Sequence, residues 1–343
     1  MDNQKGECRA SAVQEQPTGM TDYKEIICKE LDILRRISVT EDAGVFKSRV
    51  YAAAIKTVSA LPCIRAIEDL PASQKGDGLG KEVRIKIAKI IEHGHLEINP
   101  KARELAVALE QIQGIYGVGP KKAQDLVAAG HTSIPVLRAA VTADPTLLNK
   151  NQQIGLRYYE QLLKRIPRSE MEIHVARLMA AKPASLEGIV VGSYRRGRPD
   201  SGDIDMLIRT AKKEVDVGAA LAEFVAALKA TGYIHEILAQ GDHKCMAICQ
   251  CSDTGRRLDI LVTALEEFPF AVFYFTGSDT FNVRVRSLAQ EKGFTLNEHA
   301  LTHVRSGKQV GGIRTEKDIF NALGIEWREP PMRTGPEAVV QKT

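Results

Sequence analysis

No stretch of this 343-residue chain is apolar for long enough to cross a membrane as a helix, which takes about 20 residues. The longest candidate, residues 217–228, is interrupted by Glu223 and reads as a buried helix. The six cysteines (Cys8, Cys28, Cys63, Cys245, Cys249 and Cys251) include no C-x-x-C pair, which argues against a zinc site, and their scatter fits a reducing compartment. Cys249 and Cys251 share a strand face and read as core filling. The first twenty residues lack the apolar core of a secretory signal, and Asp2, Glu7 and Glu15 make them too acidic for a transit peptide. A disordered tail is expected over residues 1–21. Charge excess is also missing: 47 Lys and Arg against 43 Asp and Glu leave +4, so any basic surface must be local. The 44% hydrophobic content is ordinary for a soluble protein, and the length allows two to four small domains.

The chemistry is concentrated in residues 189–208, IVVGSYRRGRPDSGDIDMLI. An apolar strand (Ile189, Val190, Val191) breaks at Gly192-Ser193. A basic turn follows (Arg195, Arg196, Gly197), then a second strand with Asp203 and Asp205. Residues two apart in a strand share a face, so both carboxylates project together while Ile204 and Met206 are buried on the other side. Two carboxylates on one face repel unless a cation lies between them, and a hard divalent ion with oxygen ligands fits. The Gly-Ser turn offers N–H groups and a hydroxyl to phosphate oxygens, and Arg196 adds a fork of donors. Asp259, alternating with Leu258 and Ile260 in RRLDILV, is a third acid; taken alone it also reads as a turn-facing residue on an edge strand. Acids beside a phosphate cradle are the parts required for phosphoryl or nucleotidyl transfer.

The N-terminal third reads as helical, with Ile26, Ile27, Leu31 and Leu34 at helical spacing. Two glycine turns open helices there. The first is Gly76-Asp77-Gly78-Leu79-Gly80, before a helix bearing Lys81, Arg84, Lys86 and Lys89. The second is Gly117-Val118-Gly119-Pro120-Lys121-Lys122, in which both glycines permit a tight turn and Pro120 suits a first helical position. Each is a helix-hairpin-helix signature that can present unpaired N–H groups to a DNA phosphate. A structural turn between core helices is the alternative for the second.

GSYRRG, SGDID and RRLDI resemble the palm of family X DNA polymerases. The likeness spans roughly residues 22–331, with no room for a BRCT module before residue 22 or a PHP nuclease after 343, which favours the beta branch. It implies a multidomain protein: an all-α lyase-like domain (22–104), a helix-hairpin-helix domain (105–167), an α+β nucleotidyltransferase palm (168–265), a small α+β nucleotide-selection domain (266–331) and a disordered tail (332–343). It implies that Asp203 and Asp205 bridge two Mg²⁺ (or Mn²⁺) ions while Asp259 holds only the one nearer the primer. Ser193, Arg196, the Gly202 N–H and Arg165 would then hold the triphosphate. In YFTGSD, Tyr274 and Phe275 would stack beneath the deoxyribose and Gly277 would bring backbone close to the substrate, with Asp279 against the base and Asn282 donating to the base's minor-groove edge.

The same resemblance makes Arg257 and Arg286 DNA contacts. It has Gly117, Gly119 and Lys121 grip DNA through a Na⁺ or K⁺ ion on the carbonyls of Gln113, Ile115 and Val118. Lys86 stands where the family has a Schiff-base lysine, whose attack on a sugar aldehyde needs a lowered pKa that neighbouring cations supply. Lys47 and Tyr51 match other positions of that lyase pocket. Glu82, Ile98, Phe46 and Gln74 depart from that pocket, and Leu261, Val283 and His299 depart from the family's pattern in the C-terminal half. QQIGLRYYEQLLKRIPR (152–168) reads as one amphipathic helix ended by Pro167. The implied activity is templated filling of short DNA gaps in base-excision repair, with 5′-deoxyribose-phosphate lyase activity. The implied setting is a monomer, nuclear or mitochondrial, acting on gapped or nicked DNA and deoxynucleoside triphosphates, beside repair proteins such as a ligase. A template-independent terminal transferase and a non-catalytic DNA-end scaffold are the other readings.

Overall fold

A computed structural model describes residues 21–39, 44–210 and 216–342. The expected N-terminal tail therefore lies outside the described residues, apart from Thr21. The chain forms two compact units, 1–148 and 149–343.

The first unit is all helical: α1 (Lys24–Ser38), α2 (Gly44–Ala60), α3 (Lys81–His93), α4 (Pro100–Gln113), α5 (Pro120–Ala128) and α6 (Ile134–Ala143). Ile27, Leu31, Ala54, Val58, Leu79, Ile87 and Ile90 form the core shared by α1, α2 and α3. Gly78 has a structural reason to be glycine. Its φ is +74°, and a Cβ there would meet the Ala54 nitrogen and the Val50 carbonyl of α2 at 2.3 and 2.4 Å. The expected boundary at 104/105 falls inside α4, which starts from an Asn99 cap. Arg103 on α4 makes a paired hydrogen bond to Glu30 of α1, both at 2.8 Å, which ties α4 to the first helix.

The second unit continues with α7 (Lys150–Arg157), α8 (Tyr159–Leu162), β1 (Ile166–Pro167), α9 (Arg168–Ala181), β2 (Leu186–Val190), α10 (Gly192–Arg195), β3 (Asp200–Ser201), β4 (Ile204–Thr210), α11 (Val217–Ala230), β5 (Ile234–Gln240), β6 (Lys244–Cys249) and β7 (Arg256–Thr263). Then come α12 (Phe268–Thr276), α13 (Asp279–Glu291), β8 (Phe294–Leu296), β9 (Leu301–His303) and α14 (Glu316–Ala322). A five-stranded sheet has the order β2-β4-β7-β6-β5, with β4 and β7 parallel and the other pairs antiparallel. One face buries Ile204, Met206, Ile208, Leu258 and Ile260 against α9 and α11. On the other, Leu207 packs with Val191, Ala271 and Val272, which seats α12 on the sheet.

Two expectations change here. The single helix over 152–168 is broken at Tyr158, and Ile166-Pro167 pairs with Asp200-Ser201 instead of ending a helix. The helices α7 and α8 group with the second compact unit, which begins at Asn149. The stretch after Pro331 is ordered: Ala338 and Val339 pack on the Phe270–Phe273–Phe281–Phe320 core, and Glu326 and Lys342 N–H groups donate to Val340 and Gly324 carbonyls. Its anchor is Arg333, fully buried among Phe273, Phe281, Phe320 and Trp327 and bonded to Glu316 at 2.6 Å. Glu316 also receives a two-pronged bond from Arg195. Among the described residues no helix is long and apolar enough to cross a membrane.

Removing Glu316 would strand two guanidiniums, one of them without access to water. Glu316→Ala should therefore lower stability by about 3–5 kcal/mol, read as a fall in the urea midpoint.

Candidate active site

Parallel pairing of β4 with β7 sets Asp205 directly opposite Asp259. Both side chains leave the sheet on the face that Leu207 shares with α12. Because α12 is held there, its last turn brings Tyr274 and Phe275 to the acids. Asp203 stands just before β4, not within it. Gly192 opens α10 at φ +62°, and a Cβ there would meet the Asp205 carboxylate at 2.8 Å, so only glycine lets this backbone approach the acid. The expected Gly-Ser turn is thus the first turn of a short helix.

A cavity of about 430 Å³ opens at this point. Gly192, Ser193, Arg196, Gly202, Asp203, Asp205 and Arg165 line one side, and Tyr274, Phe275, Gly277, Asp279, Asn282, Val283 and Arg286 line the other. Every nucleotide-contact residue expected from the sequence is in that lining. Arg196 donates to the Thr276 carbonyl at 2.5 Å, tying the end of α10 to the turn before α13. The Gly277-Ser278 peptide there is cis. The Ser193 hydroxyl donates to Ser201, and Arg165 makes two bonds to Asp200 Oδ1 at 2.7 and 3.0 Å. Tyr274 and Phe275 meet edge to face, 5.2 Å between centroids. The Asn282 amide N–H donates to the Tyr274 carbonyl at 2.7 Å, while its Oδ1 is buried without a partner. Nδ2 carries a second N–H, so Asn282 keeps a donor as well as the Oδ1 acceptor for a ligand.

The acids are electrostatically unsettled. Burial, then the neighbouring Asp259, pushes the Asp205 carboxyl up to about 6. Burial also raises the Asp259 carboxyl. Asp259 Oδ1 is buried with no hydrogen-bond partner. Lys244, unremarked in the sequence, stands 3.9 Å from Asp259 Oδ2. Arg257, expected on DNA, is instead ion-paired with Asp203 and lies 4.0 Å from Asp259. No three His, Cys, Asp or Glu side chains among the described residues converge as a metal-binding group. Arg257 stands in the place of a cation, paired with Asp203 and supplying a positive charge among the acids. The unpartnered Asp259 oxygen, the raised carboxyls and the all-oxygen donor set still fit a hard divalent cation.

In the first unit, Lys86 lines a separate cavity of about 640 Å³ with Glu82, Ile85, Lys89, His93, His95, Glu97 and Ile98. Lys47 and Tyr51 lie on α2 and are not among the residues lining it. Arg84 is held by the Leu79 and Pro71 carbonyls and is not directed to this cavity's ligand space. At the second glycine turn, Gly117 needs its φ of +81°, whereas Gly119 is extended and has open space beside it. Lys121 pairs with Asp125 at 2.9 Å. The Ile115 carbonyl accepts from Val118, leaving one lone pair, and Val118 and Gln113 flank it in sequence.

Comparison with known proteins agrees with this layout. A model described as the DNA polymerase beta palm matches residues 165–264, one described as the DNA polymerase beta thumb matches 271–334, and the fingers domain of DNA polymerase lambda matches 110–163. DNA polymerase lambda of Rattus norvegicus is 31% identical over 333 residues, covering 91% of this chain and 56% of the relative. DNA polymerase lambda of Arabidopsis thaliana is 28% identical over 354 residues, covering 94% and 64%. The chain thus spans less than two thirds of either relative. The names run across the beta and lambda branches, and what they share is the family. With fingers, palm and thumb matched in order and the acids of the palm on adjoining strands, the chain belongs to the family X DNA polymerases.

Proposed function

We propose that the protein is a DNA-directed DNA polymerase that fills short gaps during base-excision repair, with deoxynucleoside triphosphates and gapped DNA as substrates. The observation that carries this reading is the single cavity in which Asp203 and Asp205 face Ser193, Arg196 and Arg165 across from Tyr274, Phe275 and Asn282. Asp203, Asp205 and Asp259 would hold Mg²⁺ or Mn²⁺; bound there, such ions acidify the primer 3′-hydroxyl and offset the charge of departing pyrophosphate. The chain's own groups do the rest. Ser193, the Gly202 N–H, Arg196 and Arg165 grip the β and γ phosphates, which fixes the α-phosphorus in line with the primer. Tyr274 and Phe275 fill the space beneath the sugar and exclude a 2′-hydroxyl. Asp279 lies by the base, and Arg286, at the far rim, meets the template strand. Metal loading would free Arg257 from Asp203 to meet a backbone phosphate.

The cavity around Lys86 supports a second activity of the same repair step. The Lys86 amine would attack the C1′ aldehyde of a 5′-deoxyribose phosphate, with loss of water, to form a Schiff base. Carbonyls of Gln113, Ile115 and Val118 would hold Na⁺ or K⁺ against a DNA phosphate, with Gly117, Gly119 and Lys121 beside it. Lys47 and Tyr51 would touch the DNA outside the lyase cavity.

Asp205 also links the site to stability. Its carboxyl titrates near 6 when folded and at 3.8 in the reference state. Between those values the folded protein binds more protons, so this contribution is full below 3.8 and lost as pH rises through about 6.

A one-nucleotide gap tests the main reading: primer extension should require template, and Asp259→Ala should cut it by about three orders of magnitude while leaving DNA binding intact. Extension without template would instead indicate a terminal transferase. In metal-free buffer Asp205→Asn should stabilise the protein by about 1–3 kcal/mol at pH 7.5 and by little at pH 4, measured by denaturant unfolding. Lys86→Ala should abolish borohydride trapping to incised abasic DNA; undiminished trapping would remove the lyase assignment.

A further inference from the structure

Arg256 is the first residue of β7, three before Asp259, and it is 5% exposed. Its guanidinium has no part in the reaction just described, yet it has a specific partner at every nitrogen. Nε and Nη2 donate to the two oxygens of Glu170 on α9, at 2.7 and 2.8 Å. Nη1 donates to the Lys164 carbonyl at 2.7 Å. That carbonyl belongs to the peptide that leads into Arg165, whose guanidinium reaches the cavity. The Arg165 head also lies 3.4 Å from where a Gly202 Cβ would stand, so it is placed against the backbone that turns into Asp203.

Glu170 is itself anchored. The hydrogen bonds from Arg256 hold its carboxyl below the usual range. His174, fully buried, lies one helical turn further along α9, with Nε2 3.5 Å from Glu170 and Nδ1 2.8 Å from the Tyr233 hydroxyl. Burial keeps this histidine's pKa below its ordinary value. The clamp therefore has a fixed base in the palm core. A lysine at 256 could keep the charge but could not make three such bonds in one plane.

We propose that Arg256 is a positioning residue for the triphosphate end of the cavity, holding the peptide that presents Arg165 and the strand that presents Asp259 in one fixed relation. This rests on the polymerase reading above. A peptide free to shift by about 1 Å would misplace Arg165 relative to the phosphates, and displacements of that size are costly to catalysis. The loss falls first on nucleotide affinity, because Arg165 grips phosphate.

The test compares Arg256→Lys, Glu170→Gln, Arg165→Ala and the double variant Arg165→Ala/Arg256→Lys, each checked for folding by thermal unfolding. Gap filling gives KM for the nucleotide and kcat. Arg256→Lys should raise KM about tenfold with a smaller change in kcat, and Glu170→Gln, which keeps the side chain's volume, should reproduce the direction. In the double variant the KM effects should fall short of the product of the single ones, since both act through one guanidinium. Fully multiplicative effects, or folded Arg256→Lys and Glu170→Gln proteins with unchanged KM, would overturn the proposal. Deoxynucleoside triphosphate with magnesium should also raise the melting temperature of the wild type more than that of Arg256→Lys. That binding shift decides the role of Arg256 even if the wild type fails to extend a primer, a result that would count against the polymerase reading instead.

Discussion

Two carboxylates facing each other across parallel strands are the constraint around which this unit is built. Neighbouring strands lie about 4.8 Å apart, so Asp205 and Asp259 cannot retreat from one another without breaking the β4–β7 ladder. Burial makes their repulsion worse and raises both carboxyls. The protein softens the conflict with Lys244 beside Asp259 and Arg257 on Asp203, but an Asp259 oxygen stays unpartnered. Stability is given up at the site and recovered in the apolar layers on both faces of the same strands.

Those layers also explain why the second wall of the cavity stands where it does. Leu207 points to the same side as Asp205 and packs on Ala271 and Val272, so the contact that seats α12 also carries its last turn to the acids. From there Arg196 holds the Thr276 carbonyl, and the chain passes through Gly277 into α13. On α13, Asp279, Asn282, Val283 and Arg286 recur at helical spacing along the cavity. Packing and chemistry are therefore set by alternate residues of one strand.

Much of this was legible before any coordinates. Alternation along MLI and DILV gave the strand faces, and short local segments carried the acids and the Gly-Ser approach. These signals survive in a sequence because strand period and glycine geometry act between near neighbours. What escaped was long-range. Arg333 fell in the stretch read as a disordered tail, but its partner Glu316 and its aromatic box come from α12, α13, α14 and Trp327. Arg257 read as a DNA contact and Lys244 drew no reading, because nothing local shows that β6 lies beside β7 and its acid. The 152–168 helix was read as continuous on periodicity, while the break at Tyr158 accompanies side-chain packing against Gly255, whose Cβ position lies 2.5 Å from the Tyr158 ring. In the first unit, Lys86 lines a cavity, while Lys47 and Tyr51 lie on α2.

The two Arg-Arg pairs of the palm show how one dipeptide is split by secondary structure into two tasks. In Arg256-Arg257 strand alternation sends the first guanidinium into the core, onto Glu170, and the second to Asp203 at the acids. In Arg195-Arg196 the helical step of α10 does the same: Arg195 is bound through both Nη atoms to Glu316, while Arg196 reaches the Thr276 carbonyl at the cavity. Each inner arginine is fixed by a carboxylate on a separate helix, α9 or α14, and each outer one is left to face a site that collects negative charge. A guanidinium aimed at a phosphate has to be held by something other than the phosphate, or binding must also bear the cost of ordering it. In the polymerase proposed above, the inner arginine of each pair would supply that support through the shared backbone, and the pair would act as one anchored donor.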